Sequence, residues 1–121
     1  MKSQRFGIEI EMTGLTRRSA ALIIAKHFDT GFRHERGVYD TYSVCDQDGR
    51  KWKIVRDASI TPQCGNRFDY EPDYKVEVVS PICHYEDIET IQSIVRELRR
   101  NGHAKVNESC GIHIHVDASK H

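Results

Sequence analysis

The sequence predicts an α+β fold, in which two helices pack on one face of a mainly antiparallel sheet. The first observation behind this prediction is strict apolar–polar alternation near both ends of the chain, in residues 6–12 and 109–117. The second is a pair of segments, residues 16–29 and 85–101, whose apolar residues recur at helical spacing. The third is a strong turn signal at residues 46–49, which predicts a hairpin between its flanking segments.

The first half of the chain predicts a strand, a helix and a hairpin. The strand of residues 5–12 ends at Thr13 and Gly14, and Thr16 is placed to cap the following helix. This helix is expected to run to about Asp29, with a buried stripe formed by Ala20, Ile23, Ile24, His27 and Phe28. Residues 32–42 are predicted to be extended, and residues 42–45 and 52–55 to form the hairpin arms.

The second half predicts a long loop, a strand, a second helix and a final pair of strands. Residues 61–74 are rich in Pro, Gly, Asn and Asp and are predicted to be a loop, of a length that is often functional. Residues 75–80 read as a strand closed by Pro81, and the helix of residues 85–101 ends at Gly102. A short strand at 103–107 then leads into the histidine-containing strand, so the predicted order is β-α-β-β-β-α-β-β.

Length and composition limit the classes of protein to consider. With 121 residues, the chain is expected to form a single domain, residues 1–121. Eighteen basic residues balance eighteen acidic ones, which argues against a nucleic-acid partner, and apolar runs of about five residues are too short to span a membrane. The four cysteines form no C-x-x-C pair and no signal peptide precedes them, so we expect reduced thiols in a cytoplasmic protein.

Polar pairs on strand faces predict a divalent-cation site. Side chains two apart on a strand point to the same face, so Glu9 and Glu11 share one face, and His113 and His115 share another. The alternate residues of both strands are apolar and are expected to pack on a core. Together with Glu77 these residues form a mixed oxygen and nitrogen ligand set. Oxygen-dominated sites suit Mg²⁺ or Mn²⁺, whereas more imidazole favours zinc, iron or copper.

Each of these patterns also has a purely structural interpretation. A Glu-x-Glu strand is usually a solvated face, His-x-His is often a surface or packing feature, and a lone strand glutamate is nearly always structural. Three such strands in so short a chain favour the functional interpretation. Whether His113 faces the same pocket as Glu9 depends on the strand order.

Four strings in a fixed order resemble the amidoligase family, namely F-G-I-E-I-E-M, R-D-A-S-I, V-E-V-V-S-P-I and V-N-E-S-C-G-I-H-I-H-V-D. This family is similar to a branch of the carboxylate–amine ligase superfamily of glutamine synthetase and glutamate–cysteine ligase. The resemblance covers nearly the whole chain and implies a fold like the N-terminal half of a glutamine synthetase-like catalytic domain. Family members are usually more than twice this length, which implies that residues 1–121 are the N-terminal portion of a longer catalytic domain.

The resemblance implies an activity and its cofactors. The expected reaction is ATP-dependent condensation of a carboxylate with an amine through an acyl-phosphate intermediate, with ATP and Mg²⁺ or Mn²⁺ as cofactors. The implied partners are small-molecule or peptide carboxylate and amine substrates. Carried over by position, the implied metal ligands are Glu9, Glu11, Glu77 and His113.

Three further positions are carried over from the same resemblance. His115 matches the histidine near the nucleotide phosphates, and Glu9 is placed with it as a cofactor-binding residue. Asp57 matches the D-x-S-I position, where contact with the substrate amine and anchoring of a loop both remain open. Arg56 is a candidate contact for an acidic substrate or a phosphate, and Asp57 and Arg56 are together the expected catalytic residues.

Two alternatives stay open beside the ligase interpretation. A cupin-like metalloenzyme also uses His-x-His on a strand, but it leaves Glu9 and Glu11 unexplained. A truncated, non-catalytic ligase fold would act as a binding or interaction module. It predicts an exposed apolar surface and self-association through it, with residues 32–42 or 61–74 as candidate contacts.

Overall fold

Six antiparallel strands form the main sheet of the computed structural model, which describes residues 4–37, 39–57, 60, 63–64, 67–68 and 74–116. The bounds of these strands are β1 (Phe6–Met12), β2 (Phe32–Arg36), β3 (Thr41–Cys45), β4 (Lys51–Val55), β7 (Val76–Val79) and β8 (Ile112–Val116). Their spatial order is β2-β3-β4-β7-β1-β8. A small hairpin, β5 (Gln63–Cys64) with β6 (Arg67–Phe68), stands apart from this sheet.

Two helices complete the predicted α+β arrangement. Helix α1 (Arg17–Phe28) begins where the Thr16 hydroxyl accepts a hydrogen bond from the Ser19 amide, which confirms Thr16 as the N-cap. It ends at Asp29, which adopts a left-handed conformation with a φ of 59°. Helix α2 (Ile88–Gly102) follows a short 3₁₀ turn (Tyr85–Asp87).

The hydrophobic core lies between the helices and one face of the sheet. The even-numbered residues of β1, Ile10 and Met12, point into it, as do Trp52 and Ile54 of β4. Helix α1 packs on strands β2, β3, β4 and β7, and α2 packs on α1. The odd-numbered side chains of β1 therefore project from the opposite face, as the alternation predicts.

A partly buried charge network joins the β3–β4 hairpin to the start of α2. Arg50 donates to both carboxylate oxygens of Asp87, at 3.0 and 2.9 Å, and to Asp46 at 3.0 Å. Asp46 also accepts the indole N–H of Trp52 at 3.1 Å. The hydrogen bond to Arg50 holds the pKa of the Asp87 carboxyl below its usual range, so the network stays ionised at neutral pH.

Two expectations for residues 61–74 and 103–107 need adjustment. The predicted loop lies largely outside the described residues, apart from the β5–β6 hairpin and Tyr74. The predicted strand at 103–107 is wrong, because only one isolated bridge forms there, between Thr13 and Lys105. Among the described helices, none is long and apolar enough to cross a membrane.

The apolar face of β8 does not pack on the core, so that prediction is also wrong. Ile112, Ile114 and Val116 are 63%, 60% and 56% exposed. The physical reason is position, since β8 is the outermost of the strands that the structure describes on this side of the sheet, and its alternation is the same whether or not a helix covers it.

Candidate functional site

Strand order brings the sequence-predicted polar residues together on one face. Strand β1 lies between β7 and β8, so Glu11 is directly opposite Glu77 and Glu9 is directly opposite His113. Gly7 is opposite His115 in the same register. The question left open by the sequence is thereby answered, because His113 and Glu9 do face the same side of the sheet.

Three carboxyl groups form the centre of this face. Oxygen atoms of Glu11, Asp57 and Glu77 lie within 4.8 Å of one another. Glu11 is buried, with 8% of its surface exposed, while the other two are half-buried. Asp57 reaches the cluster because β4 pairs with β7 and places Val55 opposite Glu77, two residues before Asp57.

The carboxyl groups are crowded enough to disturb their protonation. Burial, and then the neighbouring charges of Glu9, Asp57 and Glu11, raise the pKa of Glu77 to about 7. The pKa of Glu11 is also raised, first by a hydrogen bond with the Asp57 carboxyl and then by burial. Each carboxylate thus makes ionisation of its neighbours less favourable, so the cluster favours the binding of a proton or a cation.

Two imidazoles flank the carboxylates. His113 Nε2 lies 3.6 Å from Glu11 Oε2, and His115 Nε2 lies 3.5 Å from Glu9 Oε1. Their side chains are 54% and 66% exposed, since both stand on the edge strand. The face therefore offers nitrogen donors at its rim and oxygen donors at its centre.

The donor set fits a hard divalent cation. Carboxylate oxygens dominate it, which suits Mg²⁺ or Mn²⁺ better than a soft metal. Gly111, directly before β8, accepts a hydrogen bond from the Glu11 amide at 2.9 Å and therefore lies beside the cluster. A Cβ at this position would sit 3.6 Å from Glu11 Oε1 and 3.7 Å from His113 Nε2.

A cavity of about 380 Å³ opens beside the carboxylates. It is lined by Tyr39, Val55, Arg56, Asp57 and Glu77. The Arg56 amide donates to the Tyr39 carbonyl at 3.0 Å, which fixes the Tyr39 loop along one wall. Arg56 therefore lines a space next to the cluster, whereas Asp57 is a member of the cluster itself.

The sequence analysis missed one cation on this face. Lys53 occupies the same row across the sheet as Val79, Glu9 and His113. Two strand spacings separate it from Glu9, or about 10 Å between backbones. The alternation of Lys51, Trp52 and Lys53 could have predicted this position, because it places an exposed lysine on each side of a buried tryptophan.

The chain matches a protein-family model. The protein-family model described as "Putative amidoligase enzyme" matches residues 2–121. No curated protein and no solved structure matches the chain.

Proposed function

This chain belongs to the amidoligase enzyme family, and from that premise we propose that it carries the metal- and nucleotide-binding face of an ATP-dependent carboxylate–amine ligase. The observation that carries the proposal is the cluster of Glu11, Asp57 and Glu77, whose carboxyl oxygens lie within 4.8 Å of one another on the face of the sheet opposite the helices. Carboxylates held this close favour a divalent cation between them.

The chemistry of amide ligation explains why such a face is needed. A carboxylate oxygen attacks the γ-phosphorus of ATP, an O–P bond forms, and the bond to ADP breaks. The amine nitrogen then attacks the acyl carbon, the amide bond forms, phosphate leaves, and the nitrogen loses a proton. In the first step two anions approach each other, so positive charge at the phosphates lowers the barrier.

We assign the metal ligands by their place in the cluster. Glu11, Asp57 and Glu77 would hold one Mg²⁺ or Mn²⁺ ion at the centre of the sheet. Glu9 and His113, directly opposite each other on β1 and β8, would supply donors to a second ion toward the rim. The bound ions would supply the charge that offsets the triphosphate.

The nucleotide and the substrate acid are proposed to lie on either side of these ions. His115, beside Glu9 at the sheet edge, is placed to contact phosphate oxygens, and Lys53 offers a further positive charge in the same row. The cavity walled by Tyr39 and Arg56 is the proposed place for the acid, because Arg56 can pair with a carboxylate or phosphate there.

Calorimetric titration of Mn²⁺ into the chain, with and without a non-hydrolysable ATP analogue, tests the proposal. We expect binding that strengthens with the analogue and weakens at least 10-fold in Glu11→Gln and Glu77→Gln. Glu108→Gln, at an exposed turn, is the matched control and should bind like the wild type. A folded wild-type chain that binds no Mn²⁺, or a Glu11→Gln variant that binds normally, would overturn the assignment.

The thiols support the proposed cytoplasmic location. Among the cysteines whose side chains the structure describes, Cys45, Cys83 and Cys110 are free. Burial raises the pKa of the Cys83 thiol, so this cysteine acts as a small core residue rather than a nucleophile. Reduced cysteines are typical of a reducing compartment.

One observation favours the interaction-module alternative. That interpretation predicts an exposed apolar surface, and the apolar residues of β8 are exposed. The two functions are compatible, because this apolar row and the carboxylate face lie on opposite sides of the same sheet.

A further inference from the structure

A strained turn between β2 and β3 contributes one wall of the cavity beside the carboxylates. Arg36 and Asp40 adopt positive φ angles of 64° and 46°, and Gly37 between them has a φ of 88°. The Asp40 amide donates to the Gly37 carbonyl at 3.1 Å. Residues other than glycine rarely adopt this conformation, so it persists only where the surrounding structure holds it in place. Tyr39, directly before Asp40, lines the cavity.

The first residue of α1, Arg17, holds this turn through the Asp40 carboxylate. The Arg17 side chain is 4% exposed, and its Nε and Nη2 donate to Asp40 Oδ2 at 3.0 and 2.7 Å. His34 Nε2 lies 2.6 Å from Asp40 Oδ1, and the His34 ring stacks on the Tyr42 ring. Burial acts to raise the pKa of Asp40, but the hydrogen bonds from Arg17 and His34 outweigh it and lower the pKa. The carboxylate that holds the turn is therefore ionised at neutral pH.

Arg17 also holds the opposite wall of the cavity. Its Nη1 donates to the Lys75 carbonyl at 2.9 Å. Lys75 lies two residues before Glu77, which lines the cavity from β7. The Arg56 amide donates to the Tyr39 carbonyl, so the end of β4 is joined to the same turn. One buried guanidinium therefore fixes the Tyr39 wall relative to the Glu77 wall.

The lining of the cavity combines apolar surface, one cation and two carboxyl groups. Tyr39, 63% exposed, and Val55 supply the apolar surface. Arg56 is the cation, and Asp57 and Glu77 carry the carboxyl groups. A ligand with two carboxylates would bring the second one toward Asp57 and Glu77, which repel it. A ligand with one carboxylate and a planar apolar group can instead lay that group on the Tyr39 ring.

We propose that Tyr39 is the specificity-determining residue of this cavity, that it selects a carboxylic acid with an aromatic group, and that Arg17 and Asp40 are its positioning residues. This inference rests on the proposed function in one respect, since it takes the cavity as the site of the substrate acid. It involves no metal ion, so the Mn²⁺ titration tests the ligase function separately.

Titration of two acids into the chain, followed by NMR chemical shifts in the presence of a chelator, tests the selectivity. The acids are 3-phenylpropionate and succinate, which has a second carboxylate in place of the ring. The wild type should bind 3-phenylpropionate about 10-fold more tightly than succinate. Tyr39→Ala should lose this preference, and Tyr39→Phe, which keeps the ring, should retain it. Tyr85→Ala is the matched control, because Tyr85 is 61% exposed but does not line the cavity.

Asp40→Asn tests the positioning role. Asparagine tolerates the positive φ of this position, but it removes the negative charge that pairs with Arg17. The variant should lose most of the preference for 3-phenylpropionate, and the Arg56 amide should exchange its hydrogen faster. Its affinity for Mn²⁺ should be unchanged. Asp29→Asn is the matched control, because Asp29 also has a positive φ, of 59°, and is exposed.

The possible results separate this inference from the ligase function. Equal binding of the two acids by the wild type, no binding of either acid, or a preference that survives in Tyr39→Ala would overturn the selectivity. An Asp40→Asn chain with the wild-type preference would overturn the positioning role. A wild type that prefers 3-phenylpropionate but binds no Mn²⁺ would support the selectivity of the cavity and refute the metal assignment.

Discussion

Replacing Glu77 by glutamine should stabilise the metal-free protein at neutral pH while it weakens cation binding at least 10-fold. The folded state raises the pKa of Glu77 from 4.5 to about 7, chiefly by burial and by the charges of Glu9, Asp57 and Glu11. At 1.36 kcal/mol per unit the shift corresponds to at most about 3 kcal/mol. Partial exposure screens this penalty, so we expect about 1–2 kcal/mol.

The sign of the pH dependence follows from the direction of the shift. Below pH 4.5 the Glu77 carboxyl is protonated in both the folded and the unfolded state, and its ionisation has no effect on stability. Between pH 4.5 and about 7 the unfolded chain has released the proton and the folded chain still holds it. The destabilisation by Glu77 therefore grows through this window and is complete above it.

Urea unfolding of wild type and Glu77→Gln in the presence of a chelator measures the difference at each pH. The two free energies of unfolding should diverge between pH 4.5 and about 7, with the variant more stable at pH 8. Mn²⁺ should then stabilise the wild type by more than the variant, because the ion binds the folded wild type more tightly. Parallel curves for the two proteins without metal would refute the electrostatic argument, and Glu108→Gln should give such parallel curves.

Two further variants test the packing of the fold. Asp46→Ala should lower the free energy of unfolding by about 3 kcal/mol, because it leaves the buried indole N–H of Trp52 without its acceptor; Asp48→Ala, at a side chain 80% exposed, should change it by less than about 0.5 kcal/mol. Gly14→Ala should cost about 2 kcal/mol or more in thermal or urea unfolding, since its φ is +90° and a Cβ would lie 2.6 Å from a backbone carbonyl oxygen. Gly31→Ala, with nothing within 4 Å of the new Cβ and no positive φ, is its control, and equal losses in both would contradict the steric argument.

Local patterns were sufficient for both helices and for most of the strands, though not at residues 103–107, and they showed which side chains share a strand face. The hydroxyl of Thr16 and the spacing of α1 set the start of that helix, and the alternation in β1 put Glu9 and Glu11 on one side. These features depend on a few neighbouring residues, so the sequence displays them directly.

Long-range placement could not be predicted in the same way. Asp57 has no periodic signal, and it joins Glu11 and Glu77 only because β4 happens to pair with β7. The alternation of β8 is equally compatible with a buried and an exposed apolar face, because period two reports the pleat and not what covers it. Strand order decided both cases.

The central position of β1 has a consequence for how the chain acquires its structure. This first strand, Phe6–Met12, pairs with two strands that lie about 65 and 105 residues later, at Val76–Val79 and Ile112–Val116. During synthesis β1 therefore cannot pair until both of these strands have been made, whereas the β3–β4 hairpin, which contains Trp52, can form from neighbouring residues. Pairing of β1 with β7 and β8 is expected to be the slow step of folding. The carboxylate cluster would form only at that step.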